Sequence, residues 1–381
     1  MTAFPDLAPA ASASAFGFGM VIAVLGSIKE NLSEILGIPK DRIARWLSAT
    51  HVLLIPLIFL AGLAADMWGA RGTLVAGALL AGLGFFGLAL AREYWTGWLS
   101  MSVIAAGAAA FNAGAIVLLP HAYFGANAAS ANLGLVFWSM GGLTAGSLAP
   151  ILFGRLESRR ALSLIALICL IPAFFVTLTS SETFPPRADG AALSAIWSSP
   201  MIWSLALAFL LYCPMEGFLG EWASTYLTQL GFSERRAGLF ISIFWFTFIA
   251  SRLVAACLQY YYIRDAEPWV VIVLSCLTAV GVGGLAGTRE RLHAGLWLIL
   301  VALALGPILP NLIGIIYRHF GEGEIGATYG SMMLLGGAGS LVMPPILNAY
   351  VRHTSLRQAF RIPTVMSILL AGGSLALALS R

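Results

Sequence analysis

The sequence predicts an all-α membrane protein with twelve transmembrane helices in two pseudo-symmetric six-helix bundles, and three observations lead there. Of the 381 residues, 59% are hydrophobic and only 10% are charged, and the mean hydropathy is +0.89. So few charges cannot cover the surface of a soluble domain. Apolar runs long enough to cross a hydrocarbon layer, roughly 20 residues each, recur along the whole chain. Finally, a segment before the middle of the chain is echoed near its end.

Bounding the apolar runs by charged or Gly/Pro clusters places spans near 11–36, 47–65, 72–91, 96–119, 131–154 and 161–180. A polar break from Ser181 to Ser199 follows, with Glu182, Pro185, Pro186, Arg187 and Asp189. Six more runs lie near 201–227, 237–258, 268–287, 294–317, 326–350 and 361–380. The expected division is an N-terminal bundle over 1–180, a linker over 181–200 and a C-terminal bundle over 201–381.

The echo pairs Ala145-Gly146-Ser147-Leu148-Ala149-Pro150-Ile151-Leu152 with Ala338-Gly339-Ser340-Leu341-Val342-Met343-Pro344-Pro345-Ile346-Leu347, half a chain apart. Duplication of a six-helix unit gives this spacing. The alternative is chance likeness between small-residue faces, which close packing in lipid favours. Glycine strings such as Gly77, Gly82, Gly84, Gly87 and Gly281, Gly283, Gly284, Gly287 fit helices that approach closely and slide, and equally fit any tight bundle.

The net charge of +4 comes from 21 basic and 17 acidic residues, most of them scattered singly. No basic patch suggests nucleic acid. Cys169, Cys213, Cys257 and Cys276 sit inside apolar runs at spacings that suit neither zinc nor a disulfide framework. His51, His121, His293, His319 and His353 show no metal-ligand spacing. No nucleophile elbow, acid pair or phosphate loop appears, so neither an enzyme, a metal nor a cofactor is expected. Met1 to Pro9 lacks the basic region of a removable signal, so the first apolar run is expected to stay as a helix.

Between the second and third spans the chain reads Gly62-Leu63-Ala64-Ala65-Asp66-Met67-Trp68-Gly69-Ala70-Arg71-Gly72. This resembles the loop signature of the major facilitator superfamily, with Met67 standing where a basic residue is usual. The glycines permit a tight turn, Asp66 can meet a helix N-terminus or a cation, and Arg71 can pair locally. The resemblance implies a cytoplasmic loop whose contacts hold one access state closed. Further stretches are similar to the fucose-permease-like sugar branch: Tyr212-Cys213-Pro214-Met215-Glu216-Gly217-Phe218-Leu219-Gly220-Glu221-Trp222 through Tyr226, Ser242-Ile243-Phe244-Trp245 leading to Ser251-Arg252, and Gly306-Pro307-Ile308-Leu309-Pro310-Asn311.

A charge at the bilayer centre costs about 2.5–3.5 kcal/mol on insertion scales, so an ionisable residue inside a span is a candidate for function. Glu216 is the leading candidate for substrate binding and proton coupling, because a partly desolvated carboxylate can hold a proton near neutral pH. Its alternative is an ion pair or a cap on a broken helix. Glu221, five residues on and about 140° around the helix, is read as a gate, with Arg252, Asp66 and Arg71. Lys29 and Glu30 fall late in the first run, where Glu30 either couples protons or both snorkel to the interface. Asn112 and Asn311 lie at matching places in the two halves and suit hydroxyl-rich ligands or interhelical bonds. Trp138, Trp222, Tyr226 and Trp245 offer flat faces for a pyranose, or belong to the interfacial aromatic belt.

The charge count opposes the implied orientation. With the Asp66 loop inside, only Arg71, Arg187, Arg252, Arg264, Arg318 and Arg381 of the 21 basic residues fall inside, against the positive-inside rule.

Taken with the resemblance, these residues imply a secondary transporter working by alternating access, as a monomer in a cell membrane, a bacterial inner membrane in this reading. The expected cargo is a small hydroxylated solute, a monosaccharide, moved in symport with protons. An exporter of amphipathic compounds and a non-transporting receptor or assembly factor are the alternatives.

Overall fold

The computed structural model describes residues 5–125, 127–180 and 193–379. It is helical, with no β-strand among the described residues. The helices are α1 (Ala8–Ser27), α2 (Lys29–Leu36), α3 (Lys40–Trp68), α4 (Ala70–Leu90), α5 (Tyr94–Ala122), α6 (Ala128–Arg155), α7 (Ser158–Ile168), α8 (Ile171–Leu178) and α9 (Leu193–Ser198). They continue with α10 (Pro200–Gln229), α11 (Glu234–Tyr261), α12 (Glu267–Gly287), α13 (Arg291–Leu305), α14 (Ile308–His319), α15 (Ile325–His353), α16 (Leu356–Ala359) and α17 (Arg361–Leu379).

Taking α7 with α8, α13 with α14 and α16 with α17, 12 spans among the described residues are long and apolar enough to cross a membrane. Their outer faces carry Leu83, Leu99, Phe246 and Val254, all largely exposed. A soluble protein buries such side chains; a lipid-embedded one does not need to. Of the expected linker, residues 181–192 lie outside the described residues, and α9 occupies its end.

Two elements differ from the run-length reading. The first span stops at Ser27, not near residue 36. Lys29, Glu30 and Glu34 then form the exposed face of α2, which buries only Leu32. Charges packed this closely keep α2 in the aqueous boundary, and Gly37, with φ +62°, closes it in the left-handed conformation. The tenth span is broken at Gly306-Pro307 between α13 and α14. Pro307 and Pro310 both lack the N–H that would continue the ladder.

The chain forms two compact units, one of Met1–Ala126, Gly134–Leu193 and His319–Gly330, the other of Asn127–Leu133, Ser194–Arg318 and Ser331–Arg381. In the first, α5 is buried almost continuously from Ser100 to Ala122 and packs against α1, α3 and α4. Small residues set the α4–α5 approach: Gly77 faces Ala110 and the Gly107 carbonyl, and Gly84 faces Ile104. In the second unit, α12 packs against α13 and α17, and α10 against α17 and α11. Residues 308–317 of α14 are entirely buried there.

Candidate functional site

Tyr212, Glu216 and Gly220 recur every four residues and so share one face of α10, while Trp245, Phe248 and Arg252 share one face of α11. The two helices meet where Gly220 faces the Trp245 ring. Trp245 stands edge-on to Phe248 at 5.4 Å between centroids, and the Arg252 guanidinium lies 4.5 Å above the Phe248 ring. That position gives the buried cation a favourable aromatic face. Glu216 is half-buried. The Tyr212 hydroxyl, one helical turn from Glu216, is fully buried.

The broken span explains how Arg252, only 4% exposed, is held. The Gly306 carbonyl would ordinarily accept from residue 310, but Pro310 has no N–H to give. Arg252 Nε donates to that carbonyl instead, at 2.9 Å. At the same break Asn311 Nδ2 donates to the Pro307 carbonyl at 2.7 Å. Asn311 Oδ1 in turn accepts from Gln259 Nε2 at 2.5 Å, and Gln259 Oε1 accepts from Asn132 Nδ2 at 2.9 Å. Asn311 therefore belongs to a buried amide chain joining α14, α11 and α6. Its hydrogen-bonding role is the interhelical one.

The first unit carries a second polar arrangement. Gly69 ends α3 with φ +89° and ψ 147°, a backbone conformation essentially restricted to glycine. Asp66, 3% exposed, lies in the turn before it. Asp66 Oδ1 accepts the Gly326 N–H at 2.9 Å and Oδ2 the Ala327 N–H at 2.7 Å. These are first-turn donors of α15, which lack intrahelical partners and form the positive end of its dipole. Gly62, one turn before Asp66, lets the two backbones touch: a side chain there would strike the Gly326 carbonyl. The expected meeting of Asp66 with a helix N-terminus is thus present as a two-pronged cap. Arg71 is half-buried at the start of α4.

The other expected site residues are placed as follows. Asn112 is 3% exposed, and its Oδ1 has no hydrogen-bond partner among the described residues. Trp138 is half-buried, edge-on to Phe18 at 4.6 Å. Trp222 is half-buried and Glu221 exposed. Tyr226 does not offer its hydroxyl to a ligand: it is buried, donates to the Leu285 carbonyl at 3.0 Å and packs on Phe360. Glu30 lies outside the first span, its side chain 77% exposed and 2.9 Å from Lys40 Nζ. Lys40 holds its carboxyl below the usual range, mainly through that hydrogen bond and then through its charge.

Tyr212, Phe248, Gln259 and Asn132 were not singled out from sequence. Gln259 and Asn132 carried a usable signal, since each is an amide inside an otherwise apolar run. Tyr212 and Phe248 carried none, because an aromatic residue in a span is ordinary.

The comparisons with known proteins agree with this architecture. The family model described as Major Facilitator Superfamily matches residues 7–344. No curated protein sequence matches the chain. Among solved structures, the proton:xylose symporter XylE bound to 6-bromo-6-deoxy-D-glucose aligns with a TM-score of 0.76 at 13% identity, covering 96% of this chain and 94% of that one. The E. coli fucose:proton symporter FucP gives 0.75 at 16% identity, covering 97% and 98%. The human organic anion transporter MFSD10 gives 0.74 at 16% identity, covering 97% and 100%. At such identities the likeness extends to the fold alone. With its twelve spans, its Asp66 signature and a family match over most of its length, the chain belongs to the Major Facilitator Superfamily.

Proposed function

We propose that this chain is a secondary transporter for a small hydroxylated solute, a monosaccharide, moved by alternating access and coupled to protons through Glu216. The observation that carries the proposal is the α10–α11 cluster. It sets a half-buried carboxylate one helical turn from the buried Tyr212 hydroxyl, on the helix that meets the Trp245 and Phe248 pair of α11. A sugar needs such a mixture: hydroxyls bond to the acid and phenol, and its C–H face rests on the rings. Asn112, buried with an unpartnered carbonyl oxygen, is a second ligand candidate, and Trp138 and Trp222 are half-buried reserves. Neutralising Glu216 with a proton lowers the cost of carrying it through a closed state. The exposed, Lys40-paired Glu30 takes no part.

The halves 1–180 and 201–381 are the rocking bodies in this reading, and the Asp66 cap is a latch that favours one access state. Arg71, Glu221 and Arg252 complete the gating set. The protein works as a monomer in a cell membrane, a bacterial inner one.

A second reading rests on Arg252. A buried guanidinium over an aromatic ring also suits an amphipathic organic anion, which an exporter would handle. Uptake of labelled monosaccharides into proteoliposomes, with and without a pH gradient, separates the two. Saturable, gradient-stimulated uptake of one sugar supports the symporter. If no sugar moves under either condition, the exporter or a non-transporting receptor takes its place.

A further inference from the structure

Where α4 ends and α7 begins, the first unit has a recess of about 350 Å³ lined by Ala89, Leu90, Arg92, Arg159, Arg160 and Ser163. Three guanidinium groups around one small volume repel each other unless an anion is present. The nearby acids do not balance them. Glu157 reaches Arg160 only at 3.7 Å across exposed side chains, and the exposed Glu93 makes no ion pair among the described residues. Arg92 is exposed and makes no hydrogen bond or ion pair among the described residues.

The placement of Arg159 and Arg160 adds a second electrostatic conflict. Both lie in the first turn of α7, whose N-terminus has no side-chain cap. A helix N-terminus is already positive and favours negative groups. Two arginines there are stable only with compensation. Arg159 has part of it, donating to the carbonyls of Ala89 at 2.6 Å and Ala91 at 3.2 Å. Those bonds fix its plane at the wall of the recess, which Arg92 and Arg160 also line.

From this geometry we infer that the recess is a binding site for a phosphate-bearing anion at the lipid–water boundary, with the phosphodiester of an anionic phospholipid as its occupant. Guanidinium groups hold phosphate through paired N–H donors. The surroundings suit a lipid, since Leu90 at the rim is 61% exposed and Trp95 beyond it 72% exposed, offering an acyl chain and an interfacial ring beside the charges. The inference does not depend on which solute the protein carries.

The test is native mass spectrometry of the full-length, delipidated protein with added dioleoyl phosphatidylglycerol, dioleoyl phosphatidylcholine or inorganic phosphate. Retention of phosphatidylglycerol over phosphatidylcholine should fall about five-fold for each arginine removed, so the R92Q/R160Q double variant should lose most of the preference. Both residues are exposed and neither holds the α4 carbonyls, so the variant keeps its fold. Retention of inorganic phosphate, abolished in the double variant, with no preference for the lipid, would support the anion site and assign it to a free anion. Equal retention of phosphatidylglycerol by wild type and double variant overturns the inference, as does an equal loss in an R235Q/R236Q control on α11.

Discussion

Arg159 and Arg357 occupy matching places half a chain apart, and each donates two hydrogen bonds to carbonyls at the end of a span. Arg159 bonds Ala89 and Ala91 at the end of α4; Arg357 bonds Ala286 at 2.6 Å and Gly287 at 2.5 Å at the end of α12. The segments they hold are alike, Gly87-Leu88-Ala89 before Arg92-Glu93 and Gly284-Leu285-Ala286 before Arg289-Glu290. This is a second echo of duplication, carried by a structural role. It also bears on the charge conflict of the orientation. Arg159, Arg357 and Arg291, which bonds the Leu230 carbonyl at 3.3 Å, are engaged at helix ends, so structural need accounts for part of the basic excess on that face.

Replacing either arginine should therefore destabilise its own unit. Arg159→Met and Arg357→Met each remove charge-assisted bonds and leave span-end carbonyls unsatisfied, at a cost of about 1–3 kcal/mol. Lysine should restore only part, since a point charge cannot span both carbonyls. Thermal unfolding in detergent measures this. An unchanged melting temperature in both Met variants would mean that water replaces the guanidinium fully.

Asp66 makes a sharper case, because Gly326 and Ala327 present two N–H groups to one carboxylate. Asp66→Asn keeps the shape but turns one acceptor into a donor facing an N–H. The loss of one charge-assisted bond, with the charge at the helix end, should amount to about 2–4 kcal/mol. If the cap is a latch, that energy shifts the access equilibrium, and the transport rate changes more than solute affinity does. Gly62→Val should be harsher, since its side chain meets the Gly326 carbonyl. Comparing melting temperature with initial uptake rate for both variants separates a latch from a merely structural cap.

How much of this was legible in the sequence depends on the range of the interaction. The twelve spans were, because apolar length is a local property. Gly69 and Asp66 were, because the turn and the carboxylate sit within one short motif. The end of the first span was not: Ser27 and Ile28 read as a continuing run, and only the packing of Leu32 shows that Lys29 and Glu30 belong to a separate boundary helix. Whether Asn311 serves a ligand or bonds between helices was open because its partner Gln259 is remote in sequence, and nothing local marked Leu285, on another span, as the acceptor of the Tyr226 hydroxyl. A polar residue's duty in a membrane is set by what faces it across helices, which no local pattern contains.

The amide chain provides a test of that point. Asn311→Leu removes the acceptor of Gln259 Nε2 and the extra donor to the Pro307 carbonyl, leaving buried polar groups unmatched. The expected loss is about 1–3 kcal/mol. Combining it with Gln259→Leu should cost less than the sum of the two, since a pair removed together leaves fewer orphans. Additive losses in thermal unfolding would show that the two amides do not act as one network.

Glu216 and Glu30 give opposite expectations for protons. Glu216→Gln should abolish stimulation of uptake by a pH gradient while leaving solute exchange across the membrane largely intact, because the amide still bonds hydroxyls but cannot carry a proton. Glu30→Gln should leave the gradient response unchanged. The Glu30 carboxyl is held below its ordinary value of 4.5 by Lys40, so whatever its ion pair contributes is present above the unfolded value and is lost only as pH falls through the lowered one. Neutral pH lies well above that window, and the pair is exposed to screening. Uptake measured from pH 8 down to about pH 6, far above the lowered range of Glu30, therefore leaves the charge of Glu30 unchanged. A gradient response that survives Glu216→Gln and fails with Glu30→Gln would move proton coupling out of the α10–α11 cluster and onto the boundary helix.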